Sequence, residues 1–579
     1  MMSHDEFYPY FLGPYGENAD LFEDLLVDFV RDHVYWRRNF HPESTPPIPT
    51  TARHQDDFVE VVARMRRELF SLSADLKKSV PWFSPRYVGH MASDLLLPGL
   101  IANLVTTLYN PNNVTEQAAP VTVDKELDVG FQLAEMFGFS TDPEQSPCAW
   151  GHLTSGGTVA NYEGLYNLAA VKRFPLALKS ALAELELDLQ TPSVLDEPLT
   201  ALSDWQVANL TVDTIVELRR DYLQQAAARG DETLDQLRAA IDRHRFETLG
   251  AVDFYRAHPD LEPPVVLVPK TSHYSWPKAM KVLGLGTSRL VPVGVDENMR
   301  MDLDDLRATL DRLAEQRVPV LSLVAILGTT EFGTVDPIGD IVAERRARLR
   351  EGQYFPIHVD AAWGGYLASI FRRPDGGLVN RDRLRKEFHY FPSQTVYEAF
   401  ASLSEVDSIT VDPHKLGYIP YPAGAYVARH AGMIDFVVER APYAFDDAAE
   451  EAAELRRRLK NLGQYILEGS KPGASAASVH VTHNVMPLHT DEFGALLKET
   501  VRASEYFYDR VGELADRLDD RVTITVPFEP DCNLICLALN PVKNRSAARA
   551  NEFVRAIYNE MRVDASRPAR RRRSSRSPA

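Results

Sequence analysis

The chain of 579 residues carries 82 Asp+Glu against 63 Lys+Arg, a net charge of −19, with 45% hydrophobic and 25% charged residues. This is ordinary globular composition; it excludes collagenous, disordered and membrane-embedded classes, and the length suits two or three domains around a large buried core. Its three cysteines, Cys148, Cys532 and Cys536, permit neither a disulfide framework nor a CxxC metal pattern, so a reducing, cytoplasmic setting and no structural metal are expected.

The opening segment MMSHDEFYPYFLGPYGENADLFEDLL lacks the basic start and apolar run of a secretory signal. Residues 1–115 read as an N-terminal helical arm, with helices over 20–37 and 57–78 and the Pro-rich HPESTPPIPT after the first. A large α/β domain is expected over 116–430, interrupted at about 177–260 by an Ala-, Leu-, Glu- and Arg-rich helical insertion. From Pro263 the pattern alternates: PPVVLVP (strand), RLVPVGV (strand), MDLDDLRATLDRLAEQ (helix), VPVLSLVAIL (strand), DPIGDIVAERRARLREG (helix), FPIHVDAA (strand), then DSITVDPHK and GAYVAR (strands). Such order implies an α/β fold, a mostly parallel sheet with helices on both faces and ligands at the carboxyl ends of the strands. The longest apolar run, Val318 to Leu327, is too short to span a bilayer, so no membrane partner is expected. Residues 431–566, with VTITVPFEP and CNLICLAL, suggest a small C-terminal α+β domain. The last 13 residues, 567–579, hold six Arg and no acid; without aromatic residues for stacking they read as a disordered tail, and nucleic-acid binding is not expected.

Four motifs fall at strand ends. In HLTSGGTVANYEGL, Ser155, Gly156, Gly157 and Thr158 precede a helical run to about Arg173, and two glycines before a helix start offer free N–H groups to a phosphate. TSHYSWPKA presents His273 just after a strand. In HVDAAWGGY, Asp360 ends an apolar strand and is followed by the small Ala361 and Ala362; a carboxylate there is costly unless a cation meets it. In DSITVDPHKLGYIPYPAGA, His414 and Lys415 end a strand, and a buried Lys is how a Schiff base is built. A phosphate cradle, an aromatic ring, a buried carboxylate and a lysine, arriving in that order, together describe a pocket for pyridoxal 5′-phosphate.

The set TSGGTVAN, SHYSWPKA, HVDAAWGGY and VDPHKLGY resembles the group II pyridoxal-phosphate-dependent amino-acid decarboxylases of the aspartate-aminotransferase fold type (fold type I). Within that group the chain is most similar to bacterial tyrosine decarboxylases, through RYVGHMASD (86–94), YNPNNV (109–114), GTTEFGTVDPI (328–338), DPHKLGYIPYPAGA (412–425) and YILEGSKPGASAASV (465–479). The resemblance implies Lys415 as the Schiff-base lysine, Asp360 on the pyridine nitrogen, His273 stacked on one ring face and Ala362 packed on the other. It further implies Thr330 nearby, Gly156, Gly157 and Thr158 in the phosphate cradle, and Ser408 and His414 near the phosphate. Ser470 would come from the partner of a homodimer with a shared active site. Tyr443, in APYAFDD, matches the proton-donating tyrosine of the family's catalytic loop, with His273 as the alternative.

The implied activity is decarboxylation of an aromatic L-amino acid, L-tyrosine to tyramine first. Tyr87, His90 and Tyr109 suit an aromatic ring, Tyr421 is a more distant candidate, and Arg86 is the cation that an acidic substrate, glutamate or aspartate, would want. A catalytically silent homologue of the same fold is the third reading. Family members continue past the point matching NEFVRAIYNEM (551–561), where this chain turns into RVDASRPARRRRSSRSPA.

Overall fold

The alternation after Pro263 builds most of one seven-stranded sheet in the computed structural model, which describes residues 4–89, 91–439 and 454–561. The strands are β1 (Trp150–Thr154), β2 (Val265–Pro269), β3 (Leu290–Val293), β4 (Val320–Ile326), β5 (Ile357–Ala361), β6 (Ser408–Val411) and β7 (Gly424–Ala428), in the spatial order β1-β7-β6-β5-β4-β2-β3. Neighbours from β3 through β6 are parallel, and β7 runs antiparallel to both β6 and β1. Every residue of β4, β5, β6 and β7 is buried, as expected of strands covered on both faces. Between the strands, the helix Leu303–Glu315 starts where the Asp302 carboxylate accepts from the N–H groups of Asp304 and Asp305, the acidic first turn visible in the sequence.

The helices preceding β2 divide into two groups. In the first, α1 (Ala19–Phe40) and α2 (Asp56–Leu76) are long, amphipathic and largely exposed. The second begins with α3 (Leu97–Thr107), α4 (Thr122–Phe137) and α5 (Gly157–Glu184). Helix α5 runs through Pro175 to Glu184, past the end expected near Arg173. Nearly all of it is buried to Leu182, so packing outweighs the hydrogen bond that proline cannot donate. The insertion forms α6 (Asp204–Ala208), α7 (Val212–Arg229), α8 (Asp231–His244) and α9 (Phe246–Ala257). Leu218, Tyr222, Leu237 and Phe254 share one apolar core with Leu168, Phe174 and Leu178 of α5. The segment is therefore a layer on α5 rather than a separate body.

Two compact units result among the described residues, one of 4–11, 95–439, 454–510 and 526–536, the other of 12–89, 91–94, 511–525 and 537–561. The second contains α1, α2 and a hairpin of β8 (Val522–Thr525) and β9 (Ala538–Pro541). CNLICLAL is a strand only from Ala538. Before that it is tied to the helix Phe493–Arg517, with Ser504 Oγ donating to the Cys532 carbonyl at 3.1 Å and the Asn533 amide to Thr500 at 3.0 Å. Among the described residues no helix is long and apolar enough to cross a membrane. The basic tail lies outside the described residues.

Helix α4 meets β1 closely at two glycines: a Cβ on Gly130 would lie 2.0 Å from the Gly151 carbonyl oxygen. Since backbone cannot yield as a side-chain end can, Gly130→Ala should destabilise the protein by about 1–3 kcal/mol. The midpoint of urea unfolding, followed by far-UV circular dichroism, checks this.

Candidate active site

Strand alternation and helix periodicity bring three rows of residues together. On β5 and just past it, His358, Asp360 and Ala362 share one face; on β6 and just past it, Ser408, Thr410 and Asp412 share the same face, with His358 paired to Ser408 and Asp360 to Thr410. Over them lies one stripe of α5, formed by Gly157, Asn161 and Gly164 at helical spacing. A Cβ on Gly157 would lie 2.8 Å from Asp412 and 3.1 Å from Ala362, and one on Gly164 would lie 2.6 Å from the His358 ring. The glycines let the helix start settle onto the strand ends.

Asp360 is almost fully buried and meets donors on both oxygens. Oδ2 accepts from Asn161 Nδ2 at 2.8 Å and Trp276 Nε1 at 3.3 Å, and Oδ1 accepts the Ala362 N–H at 3.3 Å. His273 precedes α10 (Ser275–Val282); its Nδ1 accepts from the Ser275 N–H at 3.2 Å and lies 3.0 Å from Ser275 Oγ. Burial holds the His273 imidazole below the ordinary histidine range, although Asp360 pulls the other way. Past β6, Lys415 Nζ lies 2.9 Å from Asp412 Oδ2, with the lysine 12% and the aspartate 2% exposed. Burial also lowers the His414 imidazole, which lies 3.5 Å from the same oxygen and meets the Tyr421 ring at a tilt, centroids 4.1 Å apart.

The structure thus gathers Gly156, Gly157, Thr158, His273, Asp360, Ala362, His414 and Lys415 at the carboxyl ends of β1, β2, β5 and β6. Ser408 requires a correction. It is fully buried at the far end of β6, where its hydroxyl lies 2.8 Å from His358 Nδ1, and the side chain beside the helix start is Asp412, on the same face at the other end of the strand. Thr330 is half-buried in the loop after β4, and Ser470 is exposed, its hydroxyl accepting from Asn112 at 2.9 Å. Tyr421 is exposed apart from its contact with His414, and Tyr109 is exposed too. Arg86 and Tyr87 belong to the second compact unit, Tyr87 set edge-on to Trp82. His90 and Tyr443 lie outside the described residues.

Asn161, Ser275, Trp276, His358 and Asp412 were not singled out in the sequence. The signal existed: Asn161 is four residues beyond Gly157, and His358 is two residues before Asp360, spacings that keep each pair on one face. Their relevance depended on which faces meet.

A mostly parallel α/β sheet with a lysine, a buried carboxylate, a histidine and a glycine-flanked helix start at its strand ends defines the class: a fold type I enzyme that uses pyridoxal phosphate. The sequence profile described as "Pyridoxal-dependent decarboxylase conserved domain" matches residues 253–384. The chain is 33% identical over 561 residues to an L-tyrosine decarboxylase of Enterococcus faecalis, covering 95% of this chain and 83% of the relative. It is also 33% identical to one of Levilactobacillus brevis, covering 95% and 82%. Crystal structures of Catharanthus roseus tryptophan decarboxylase (TM-score 0.54, 14% identity, 97% of this chain and 91% of that one) and Oryza sativa TDC (0.55, 15%, 94% and 88%) share the fold. The chain belongs to the pyridoxal-dependent decarboxylases of group II and is a carboxy-lyase acting on an amino acid.

The residues present fit the cofactor. Among the described residues, Asp412 Oδ1 and His414 Nδ1 are buried without a hydrogen-bond partner, and the Glu468 carboxylate lies 3.1 Å from the Ser155 N–H just before α5, so the helix start already carries an anionic oxygen. Behind the site, burial lowers His358 to about 4. Its imidazole therefore stays neutral in the folded chain while the unfolded chain takes up a proton as pH falls below 6.5, so folding stability should fall between pH 6.5 and 4. His358→Gln should make that loss smaller by about 2–3 kcal/mol, read as the difference between urea-unfolding curves of parent and variant apoprotein across this range.

Proposed function

We propose that the protein decarboxylates an aromatic L-amino acid, L-tyrosine foremost, giving tyramine and carbon dioxide. The observation carrying this reading is the near full-length relationship to L-tyrosine decarboxylases, at 33% identity over 561 residues in the Enterococcus faecalis case. An aspartate 1-decarboxylase of Aliivibrio fischeri is 29% identical but aligns with only 51% of the chain, which favours the acidic substrate less.

In this reading Lys415 holds the cofactor covalently, and the first N–H groups of α5, with Gly156, Gly157, Thr158 and His414, hold its phosphate. Asp360 faces the ring nitrogen and His273 and Ala362 its two faces; Thr330 lies nearby and Ser470 of the second subunit completes the phosphate site. The bound cofactor supplies a ring that accepts the electrons released when the Cα–carboxylate bond breaks. Asp412 places the Lys415 amine, His273 presents a ring face and an N–H toward the substrate, and the strand ends fix the orientation that selects the breaking bond. Tyr443 is the assigned proton donor to Cα. Scarce, unpaired cysteines support a cytoplasmic setting.

Incubation of the loaded enzyme with a panel of L-amino acids, quantifying amine and carbon dioxide, tests the substrate; equal or faster turnover of aspartate or glutamate would overturn the tyrosine assignment. Lys415→Ala should abolish turnover and the fixation of cofactor to protein by borohydride. Asp360→Asn should keep the cofactor and lose about 10²–10³-fold in kcat, the scale of one preorganised electrostatic partner.

The homodimer is supported by apolar residues that the fold leaves on the surface. On α1, Phe29 is 44%, Trp36 47% and Phe40 62% exposed; on α2, Met65 is 57%, Leu69 58% and Phe70 75% exposed. Helices that expose such faces need a cover, and a second copy of this chain supplies one. Sedimentation should give twice the 65.0 kDa chain mass, and Leu69→Glu with Phe70→Glu should shift the protein to monomer with loss of turnover.

A further inference from the structure

The residues that link His273 to Asp360 form a small, fully buried, hydrogen-bonded cluster. Its centre is Asn161. The amide nitrogen donates to Asp360 Oδ2 at 2.8 Å and to Ser275 Oγ at 3.1 Å, and the amide oxygen lies 3.2 Å from His358 Nε2. His358 Nδ1 lies 2.8 Å from Ser408 Oγ, and Thr410 Oγ1 lies 3.2 Å from His358 Nε2. Asn161, Ser275, His358, Ser408 and Thr410 are each no more than 1% exposed.

One assignment of hydrogens satisfies both ends of the Asn161 amide. A carboxylate accepts, so the –NH2 side of Asn161 must face Asp360. Its oxygen then faces His358 Nε2, which must carry a hydrogen, leaving His358 Nδ1 to accept from the Ser408 hydroxyl. Ser275 Oγ accepts the second amide hydrogen, and the Ser275 N–H donates to His273 Nδ1. His273 therefore carries its proton on Nε2. The Asn161 amide fixes the acceptor face of Asp360 and anchors the Ser275 hydroxyl, while the Ser275 N–H fixes the tautomer of His273.

We propose that Asn161, oriented by His358, is a positioning residue of the decarboxylase: it holds Asp360 as the acceptor for the cofactor ring nitrogen and anchors Ser275, whose N–H keeps the His273 proton on Nε2. The proposal rests on the assignment of Asp360 to that nitrogen. The titratable groups facing the cluster are His273, His358 and Asp360, and across the site Lys415, Asp412 and Glu331 act on His273.

The test compares Asn161→Ala with the isosteric Asn161→Asp. For Asn161→Ala, kcat should fall about 10- to 100-fold, the worth of one hydrogen bond to a charged group, with KM within about threefold of the parent. The dissociation constant of pyridoxal phosphate from the apoprotein, titrated by fluorescence, should rise by about tenfold or more. Asn161→Asp keeps the volume but sets two carboxylates against each other, so it should be worse than alanine at pH 8. As pH falls to 5.5 the two carboxylates come to share a proton, so cofactor affinity and kcat of this variant should rise relative to the parent. Parental kcat and cofactor affinity in Asn161→Asp, or a ratio to the parent that does not change with pH, would overturn the proposal. Should that variant not fold, His358→Phe, which removes the donor that orients the amide, must lower kcat and cofactor affinity with KM kept; parental values would equally overturn it. If Asp360→Asn itself keeps full kcat, the underlying assignment of Asp360 has failed. Loss in Asp360→Asn with none in the Asn161 variants refutes the positioning role alone.

Discussion

A carboxylate buried at the end of a core strand is the constraint around which this enzyme is arranged. Withdrawing Asp360 from water costs several kcal/mol unless donors replace the water, and the protein provides them from α5, from α10 and from its own following turn. To deliver Asn161, α5 must lie close against β5 and β6. That requirement accounts for the small residues on its inner stripe, since any side chain at Gly157 or Gly164 would strike Asp412 or His358. The close seating of the helix start is also what forms the proposed phosphate cradle, so the carboxylate and that cradle are two consequences of one packing.

The remaining groups are fixed by strands and by a buried clasp. The loop after β4, which carries Thr330, is held from behind. Asp336 accepts from the Met301 N–H at 2.7 Å and the Ile326 N–H at 2.8 Å, and Asp531 pairs with Arg300 while accepting the Val335 N–H at 3.0 Å. Burial pushes Asp336 up to about 7, the two N–H groups opposing it. Cys532 Sγ donates to the Gly333 carbonyl at 3.1 Å, so CNLIC serves as a fastener for this loop rather than as a sheet strand. Groups mounted on strand ends and clasped loops hold their spacing without help from a ligand, which is what orientation of one substrate bond demands.

Apolar surface is managed in two ways. The insertion helices bury theirs against α5 in a continuous core that includes Phe174 and Phe436, their rings 4.9 Å apart. Helices α1 and α2, of 22 and 21 residues, leave theirs exposed. Amphipathicity alone says that a face will be covered; it does not say by which chain.

By itself the sequence determined the strand-helix alternation, the strands β2 to β7, the long N-terminal helices and the motifs carrying His273, Asp360 and Lys415, because periodicity and strand-end chemistry are local. Tertiary structure alone decided what lies across from what. It placed Ser408 on His358 instead of at the proposed cradle, set Asp412 against the helix start at Gly157, carried α5 past Pro175, and broke CNLICLAL before its strand. It also brought Asn161 onto Asp360, 199 positions further along the chain, and onto Ser275 beside His273. Such pairings depend on how a helix face seats on a sheet, a balance of shape and hydrogen-bond partners summed over the whole core, and no window of sequence contains it.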